Sequence, residues 1–227
     1  MGQQRTVVVT GVASGIGAAI ARHLAEAGWS VIGLDRNEPE DASHLAALHC
    51  VDLSDSAATA QLAAQLAGAG ALAHAAGLMR TGSIADARPE YGDLMWAVHV
   101  RALSILIGAM APAMGPGGRI VAVGSRTSRG AANKSLYAAS KAAMVGLIRS
   151  AAAELAPQGV TANVVAPAAT ATPMLSGAER GAVAPQLPPI GRFIKPAEIA
   201  ATVAFLLSEQ AAAITGQEIT ICGGASL

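Results

Sequence analysis

Tyr137 and Lys141 stand four residues apart in the Ala-rich stretch Ser135-Leu136-Tyr137-Ala138-Ala139-Ser140-Lys141. The pattern predicts a single helix over 137–155. Residues four apart project from one helical face, so a phenol and an ammonium would share the same space. A cation beside a phenol favours the phenolate and lowers the phenol's pKa. Tyr137 is thereby a candidate proton donor and acceptor near neutral pH. The same spacing also suits a packed Tyr and a solvated Lys, and the rest of the chain must decide between them.

A second chemical feature lies near the start. Val7-Val8-Val9 is a β-branched run suited to a strand buried on both faces. Thr10-Gly11-Val12-Ala13-Ser14-Gly15-Ile16-Gly17 follows, and 18–27 reads as a helix ended by Gly28. Strand, Gly-rich turn and helix in that order form a phosphate-binding unit. The glycines admit the backbone to a pyrophosphate, and the helix N-terminus supplies N–H groups and partial positive charge. The next strand, 30–34, delivers Asp35, 18 residues after Gly17. A carboxylate there can accept from both adenosine ribose hydroxyls and would repel a 2′-phosphate, which favours NAD over NADP. Arg36 is adjacent and works against that preference.

The elements that must position these groups alternate along the chain. A third strand is expected at 48–51 with Asp52 at its end, then a Ser-capped helix at 56–66. A small-residue strand at 71–75 leads to Gly77, where backbone can pass close to a ligand. A long helix is expected at 89–114, and a strand at 119–123 delivers Ser125. A strand at 160–165 closes at Ala166-Pro167, a helix follows at 196–208, and a last strand at 217–222. The Pro-, Gly- and Ala-rich stretch 173–189 is long enough to act as a lid. This alternation describes an α/β protein, one doubly wound parallel sheet of about seven strands in a single domain spanning 1–227. Ligands in such folds sit beyond the carboxyl ends of the strands, where Gly11, Asp35, Asp52, Gly77, Ser125 and Pro167 all fall.

Composition excludes several classes. The chain is 52% apolar, and its fifteen basic and fifteen acidic side chains cancel without forming runs, which argues against nucleic-acid or anionic-membrane partners. No apolar run is expected to reach the length of a membrane span; 102–114 is the longest candidate and follows Arg101. Gly11, Gly15 and Gly17 break any signal-peptide helix, and the loose myristoylation pattern at 2–6 is taken as coincidence. Cys50 and Cys222, read as free buried thiols, suit a reducing cytoplasm. His44, His49, Cys50 and Asp52 match no metal spacing, so no metal is expected.

Taken together, these motifs resemble the short-chain dehydrogenase/reductase family over essentially the whole chain. Thr10 to Gly17 matches its T-G-x-x-x-G-x-G loop, Tyr137 with Lys141 its Y-x-x-x-K, and Ser125 its serine, one residue closer to the Tyr than usual. Asn163 to Met174 resembles the N-x-x-x-P-G-x-x-x-T-P segment, with Ala168 in place of the glycine, and 191–224 the family's ending. The resemblance implies a Rossmann sheet and an NAD-dependent oxidoreductase acting on a secondary alcohol or ketone. In it Tyr137 exchanges the proton, Lys141 holds the nicotinamide ribose, Ser125 orients the C–O group and Thr172 meets the carboxamide. Ser14, Ile16, Leu53 and Ala75 join the implied cofactor contacts.

Two departures bear on activity. His74-Ala75-Ala76-Gly77 stands for Asn-Asn-Ala-Gly, removing amides that brace the sheet, and His99 stands for the Asn of a proton relay. An imidazole also shuttles protons, so His99 is expected as a relay member. The alternative is an NAD-binding sensor or scaffold without turnover; relatives that are dehydratases or epimerases usually carry an added domain. A homo-oligomer, tetramer or dimer, is implied, and the apolar helices 89–114 and 137–155 suit it. Met174, Leu175, Val183 and Leu187, with few charges beyond Glu179 and Arg180, point to a neutral, fairly apolar substrate.

Overall fold

A computed structural model describes residues 5–176 and 184–227. The β-branched run becomes β1 (Thr6–Thr10), followed by β2 (Ser30–Asp35), β3 (Ala47–Cys50), β4 (Ala71–His74), β5 (Arg119–Val123), β6 (Thr161–Pro167) and β7 (Glu218–Ile221). They form one sheet in the order β3-β2-β1-β4-β5-β6-β7, with every neighbouring pair parallel. The chain winds outward through β2 and β3, then returns to β4 on the other side of β1. That reversal opens a crevice at the carboxyl ends of β1 and β4, where Thr10 and His74 pair in register.

Strand residues alternate between two apolar layers. Val8, Leu72, Ile120 and Val164 face α2 (Ser56–Gln65), α4 (Ala102–Met110) and α5 (Ser135–Leu155). Val7, Val9, Ala73, Val121 and Val165 face α1 (Gly15–Glu26) and α7 (Pro196–Leu207). Burial on both faces is why the strands read as continuous apolar runs.

Several expectations are corrected. Asp55, not a serine, caps α2: its Oδ1 accepts from the amides of Ala57 at 2.9 Å and Ala58 at 3.0 Å. The long helix is composite: α3 (Pro89–Trp96), a π-helical turn (Ala97–Arg101), α4, then a 3-10 turn (Ala111–Ala113). Together Pro89–Ala113 spans 25 residues and is long and apolar enough to cross a membrane, contrary to the sequence expectation. Leu103, Leu106 and Met110 are fully buried against the sheet and α2, so its apolarity is that of a core helix. Cys50 is exposed and Cys222 half-buried, because both lie at the ends of edge strands; neither is in a disulfide.

Of the lid stretch, Pro173–Ser176 forms the short helix α6. The expected contributions of Glu179, Arg180 and Val183 lie outside the described residues.

Gly17 shows how tightly loop and helix are joined. A Cβ there would lie 2.0 Å from the Gly11 carbonyl oxygen. Gly17→Ala is expected to destabilise the protein by about 3 kcal/mol or to prevent folding, read by urea denaturation. A near-neutral result would show that the loop can move aside.

Candidate active site

The carboxyl ends of the strands carry one cleft with two connected halves. The smaller, about 250 Å3, is lined by Gly11, Ser14, Gly15, Gly17, Asp35, Asp52 and Leu53. The larger, about 600 Å3, is lined by His99, Ser125, Tyr137, Lys141 and Pro167. Ile16, Ala75, Gly77 and Thr172 border both. The residues named from the sequence as catalytic or cofactor-binding therefore line this cleft.

In the smaller half, Asp35 is held at both oxygens. Oδ2 accepts from the Ala13 amide at 2.9 Å and Oδ1 from the Asn37 amide at 3.0 Å. Asp52 accepts from the Ser54 amide at 2.8 Å, and its hydrogen bonds with Ser54 lower its pKa. No side chain caps α1, and its first turn carries no acid, so its N-terminus is left to a ligand. These features fit a dinucleotide: an open helix N-terminus at the middle and a fixed carboxylate at one end.

In the larger half, Tyr137 is 8% exposed and Lys141 5%. The Lys141 Nζ lies 5.9 Å from the centroid of the Tyr137 ring and donates to the Val123 carbonyl at 2.9 Å. Burial pulls the Lys141 pKa down to about 7. Ser125 accepts from the Thr127 amide at 3.2 Å and shares a hydrogen bond with the Thr127 hydroxyl at 2.8 Å. Gly77 keeps the floor low: a Cβ there would sit 3.1 Å from His99 Nε2 and 3.6 Å from Lys141 Nζ.

Two fully buried imidazoles tie these pieces together. Thr10 Oγ1 accepts from the amides of Ala75 at 3.1 Å and Ala76 at 2.9 Å, which directs its hydrogen to His74 Nδ1 at 3.1 Å. His74 then carries its own hydrogen on Nε2 and donates to the Val98 carbonyl, 3.1 Å away on the π-helical turn. His74 thus supplies the brace expected to be lost with the amides. His99 takes the opposite tautomer. Nε2 accepts from the Leu78 amide at 3.1 Å, so Nδ1 donates to Ser140 Oγ at 2.9 Å. Ser140 donates in turn to the Tyr137 carbonyl at 2.8 Å.

The His99 ring meets the Tyr137 ring edge-on at 5.8 Å. Both imidazoles are held neutral, first by burial and then by Lys141; His74 falls to about 3 and His99 well below its usual value. Thr10, Ser140 and the π-helical turn were not singled out as site parts. Ser140, three residues from Tyr137 on the same helix, was the one legible signal.

Among the described residues no group of His, Cys, Asp or Glu is placed to hold a metal.

Comparison with known proteins follows this geometry. Residues 11–226 match the family model described as Enoyl-(Acyl carrier protein) reductase. A cis-4-hydroxycyclohexanecarboxylate dehydrogenase of Sinomonas cyclohexanicum is 34% identical, covering 97% of this chain and 96% of the relative. A 3-oxoacyl-[acyl-carrier-protein] reductase of Vibrio cholerae is also 34% identical, with the same coverage. A short-chain dehydrogenase from Burkholderia cenocepacia, solved in complex with NADP, superposes with a TM-score of 0.84 at 33% identity, over 99% of both chains.

Acid should destabilise this protein through its two fully buried histidines, His74 above all. Unfolded imidazoles titrate near 6.5 and folded His74 near 3, so in that window the unfolded chain binds more protons. The stabilisation is complete above about 6.5 and is lost as pH falls. Between pH 6.5 and 5 the loss from His74 is about 2 kcal/mol. Urea denaturation at the two pH values checks this, and His74→Asn should reduce the difference. A stability unchanged over that range would rule the account out.

Lys141 acts in the same sense at higher pH. Its folded pKa near 7 lies below the 10.5 of a free lysine, so the penalty is full below pH 7 and fades as pH rises to 10.5. Lys141→Met is therefore expected to raise the melting temperature at pH 6 and to gain little at pH 10.

Proposed function

The chain belongs to the short-chain dehydrogenase/reductase family, and from that premise we propose that it is an NAD-dependent oxidoreductase interconverting a secondary alcohol and a ketone. The observation that carries this reading is the convergence of Ser125, Tyr137 and Lys141 on the larger half of the cleft, with Gly77 close beside Lys141. The nicotinamide cofactor, when bound, accepts or supplies the hydride.

The side chains handle the proton. In the oxidative direction the Tyr137 phenolate oxygen takes the hydroxyl proton of the substrate; in reduction the phenol returns it to the carbonyl oxygen. Ser125, once its hydroxyl turns from Thr127, donates to the same oxygen and polarises the C–O bond. Lys141 keeps one N–H on the Val123 carbonyl and has others for ribose hydroxyls, and its charge favours the phenolate. Thr172 borders both halves and would meet the carboxamide end of the cofactor. We assign His99 a positioning role in place of the relay role expected from sequence, because both ring nitrogens are engaged and the imidazolium is disfavoured.

Asp35 supports NAD: its carboxylate is fixed where the adenosine ribose would lie and repels an added phosphate. The NADP complex of the Burkholderia relative makes this the point to test first. Trp96 and Phe205, each 45% exposed on separate helices, support association of copies into a tetramer or dimer. The free thiols support a cytoplasmic location.

Calorimetric titration should show NAD binding at least tenfold tighter than NADP. Asp35→Ser should reverse or erase that preference. A panel of secondary alcohols with NAD should yield the reduced-nicotinamide absorbance, and Tyr137→Phe should lower kcat by about 100-fold or more without loss of NAD binding. Tight NAD binding with no turnover across the panel would instead favour a sensor.

A further inference from the structure

Among the described residues, Arg126 is a cation with no carboxylate in salt-bridge distance. It follows Ser125 directly, opens the 3-10 turn Arg126–Arg129, and lines the larger half of the cleft together with Tyr137. One Nη1 hydrogen goes to the Ala225 carbonyl at 3.0 Å, while its Nε is buried with no partner. Its neighbour on the same turn is served differently. Arg129 lies 3.9 Å from Glu218, which also accepts from Ser128 at 2.8 Å, so that carboxylate is already engaged.

Among the described residues lining the larger half, Arg126 and Lys141 stand with no Asp or Glu side chain. The remaining wall includes the apolar side chains of Met79, Met174, Leu175 and Leu187. A half-buried guanidinium against such a wall loses hydration that a counter-anion would restore.

The cofactor does not supply that anion in this arrangement. Its pyrophosphate belongs with the Gly-rich loop, which lines the smaller half, and Arg126 borders only the larger one. The part of the cleft left to Arg126 is the substrate's.

Resting on the alcohol–ketone reading above, we propose that the substrate carries a carboxylate and that Arg126 binds it. A planar guanidinium presents paired N–H groups that match the two oxygens of a carboxylate, with one charge answering one charge. The apolar residues of the wall then hold the carbon skeleton between the carboxylate and the reacting C–O group. The substrate is thus a hydroxy acid or oxo acid with an apolar frame, in place of the neutral molecule suggested by the lid's composition.

The test compares cyclic and linear hydroxy acids with their methyl esters as substrates of wild type, Arg126→Gln and Arg126→Lys, using NAD. Wild type should favour the acids over the esters by about 10- to 100-fold in kcat/KM, the span of a charge-assisted hydrogen bond. Arg126→Gln should collapse that ratio toward one, mainly through KM, and Arg126→Lys should restore part of it. Calorimetric titration of cyclohexanecarboxylate and its methyl ester into the NAD complex gives a readout independent of turnover, with binding of the acid lost in Arg126→Gln. Melting curves identify a variant that has failed to fold; Arg126→Lys then carries the comparison.

Turnover of esters as readily as acids, or a preference unchanged in Arg126→Gln, overturns the proposal and leaves the dehydrogenase reading intact. If neither class turns over, the dehydrogenase reading fails. The titration then decides alone: Arg126-dependent binding of the carboxylate supports the anion site, and no binding overturns it.

Discussion

The arrangement depends on a buried lysine amine that no carboxylate of the described residues reaches. Lys141 projects inward from α5 with the Val123 carbonyl as its close oxygen partner, and burial pulls its pKa down to about 7. Low dielectric makes that charge felt over several ångströms. Groups around it must be neutral to be stable there, and both nearby imidazoles are. Polar neighbours that stay uncharged leave the amine's electrostatic influence to the Tyr137 ring and to whatever enters the cleft.

Holding such a site open requires contacts that carry no charge of their own. Thr10, His74, the Val98 carbonyl, His99, Ser140 and the Tyr137 carbonyl bring β1, β4, the π-helical turn and α5 to one place. A neutral imidazole offers one donor and one acceptor, as a side-chain amide offers a donor group and an acceptor group. Two histidines in opposite tautomers therefore replace two amides without leaving a buried polar atom of either ring unserved. The π-helical turn belongs to the same solution: it presents the Val98 carbonyl to His74 while turning His99 toward Leu78 and Ser140.

Uncompensated cations destabilise the folded chain, and the sheet offsets them. Apolar layers pack on both of its faces, with Leu24, Leu72, Leu106, Ile120 and Ile148 fully buried. The polar chemistry is confined to the carboxyl edge between those layers. Lys141 and Arg126 are both placed there, in a cleft whose ligands can provide what the protein withholds. A preorganised cation that awaits its partner is a common reason for an active site to be less stable than its scaffold requires.

Much of this was determined by the sequence itself. The strand–loop–helix unit at Val7–Gly17, the fourfold spacing of Tyr137 and Lys141, and the placement of Ser125 and Asp35 at strand ends depend on local periodicity and on the topology of alternating elements. Only the tertiary structure decided which partners the buried groups take. His74 meets a carbonyl 24 residues away, and His99 a hydroxyl 41 residues away. The same holds for the cap at Asp55, the π-helical break in the long helix, the exposure of Cys50 and the lack of a counter-ion for Arg126 among the described residues. Each is settled by packing between elements distant in the chain or by side-chain geometry, and neither leaves a periodic trace in the sequence.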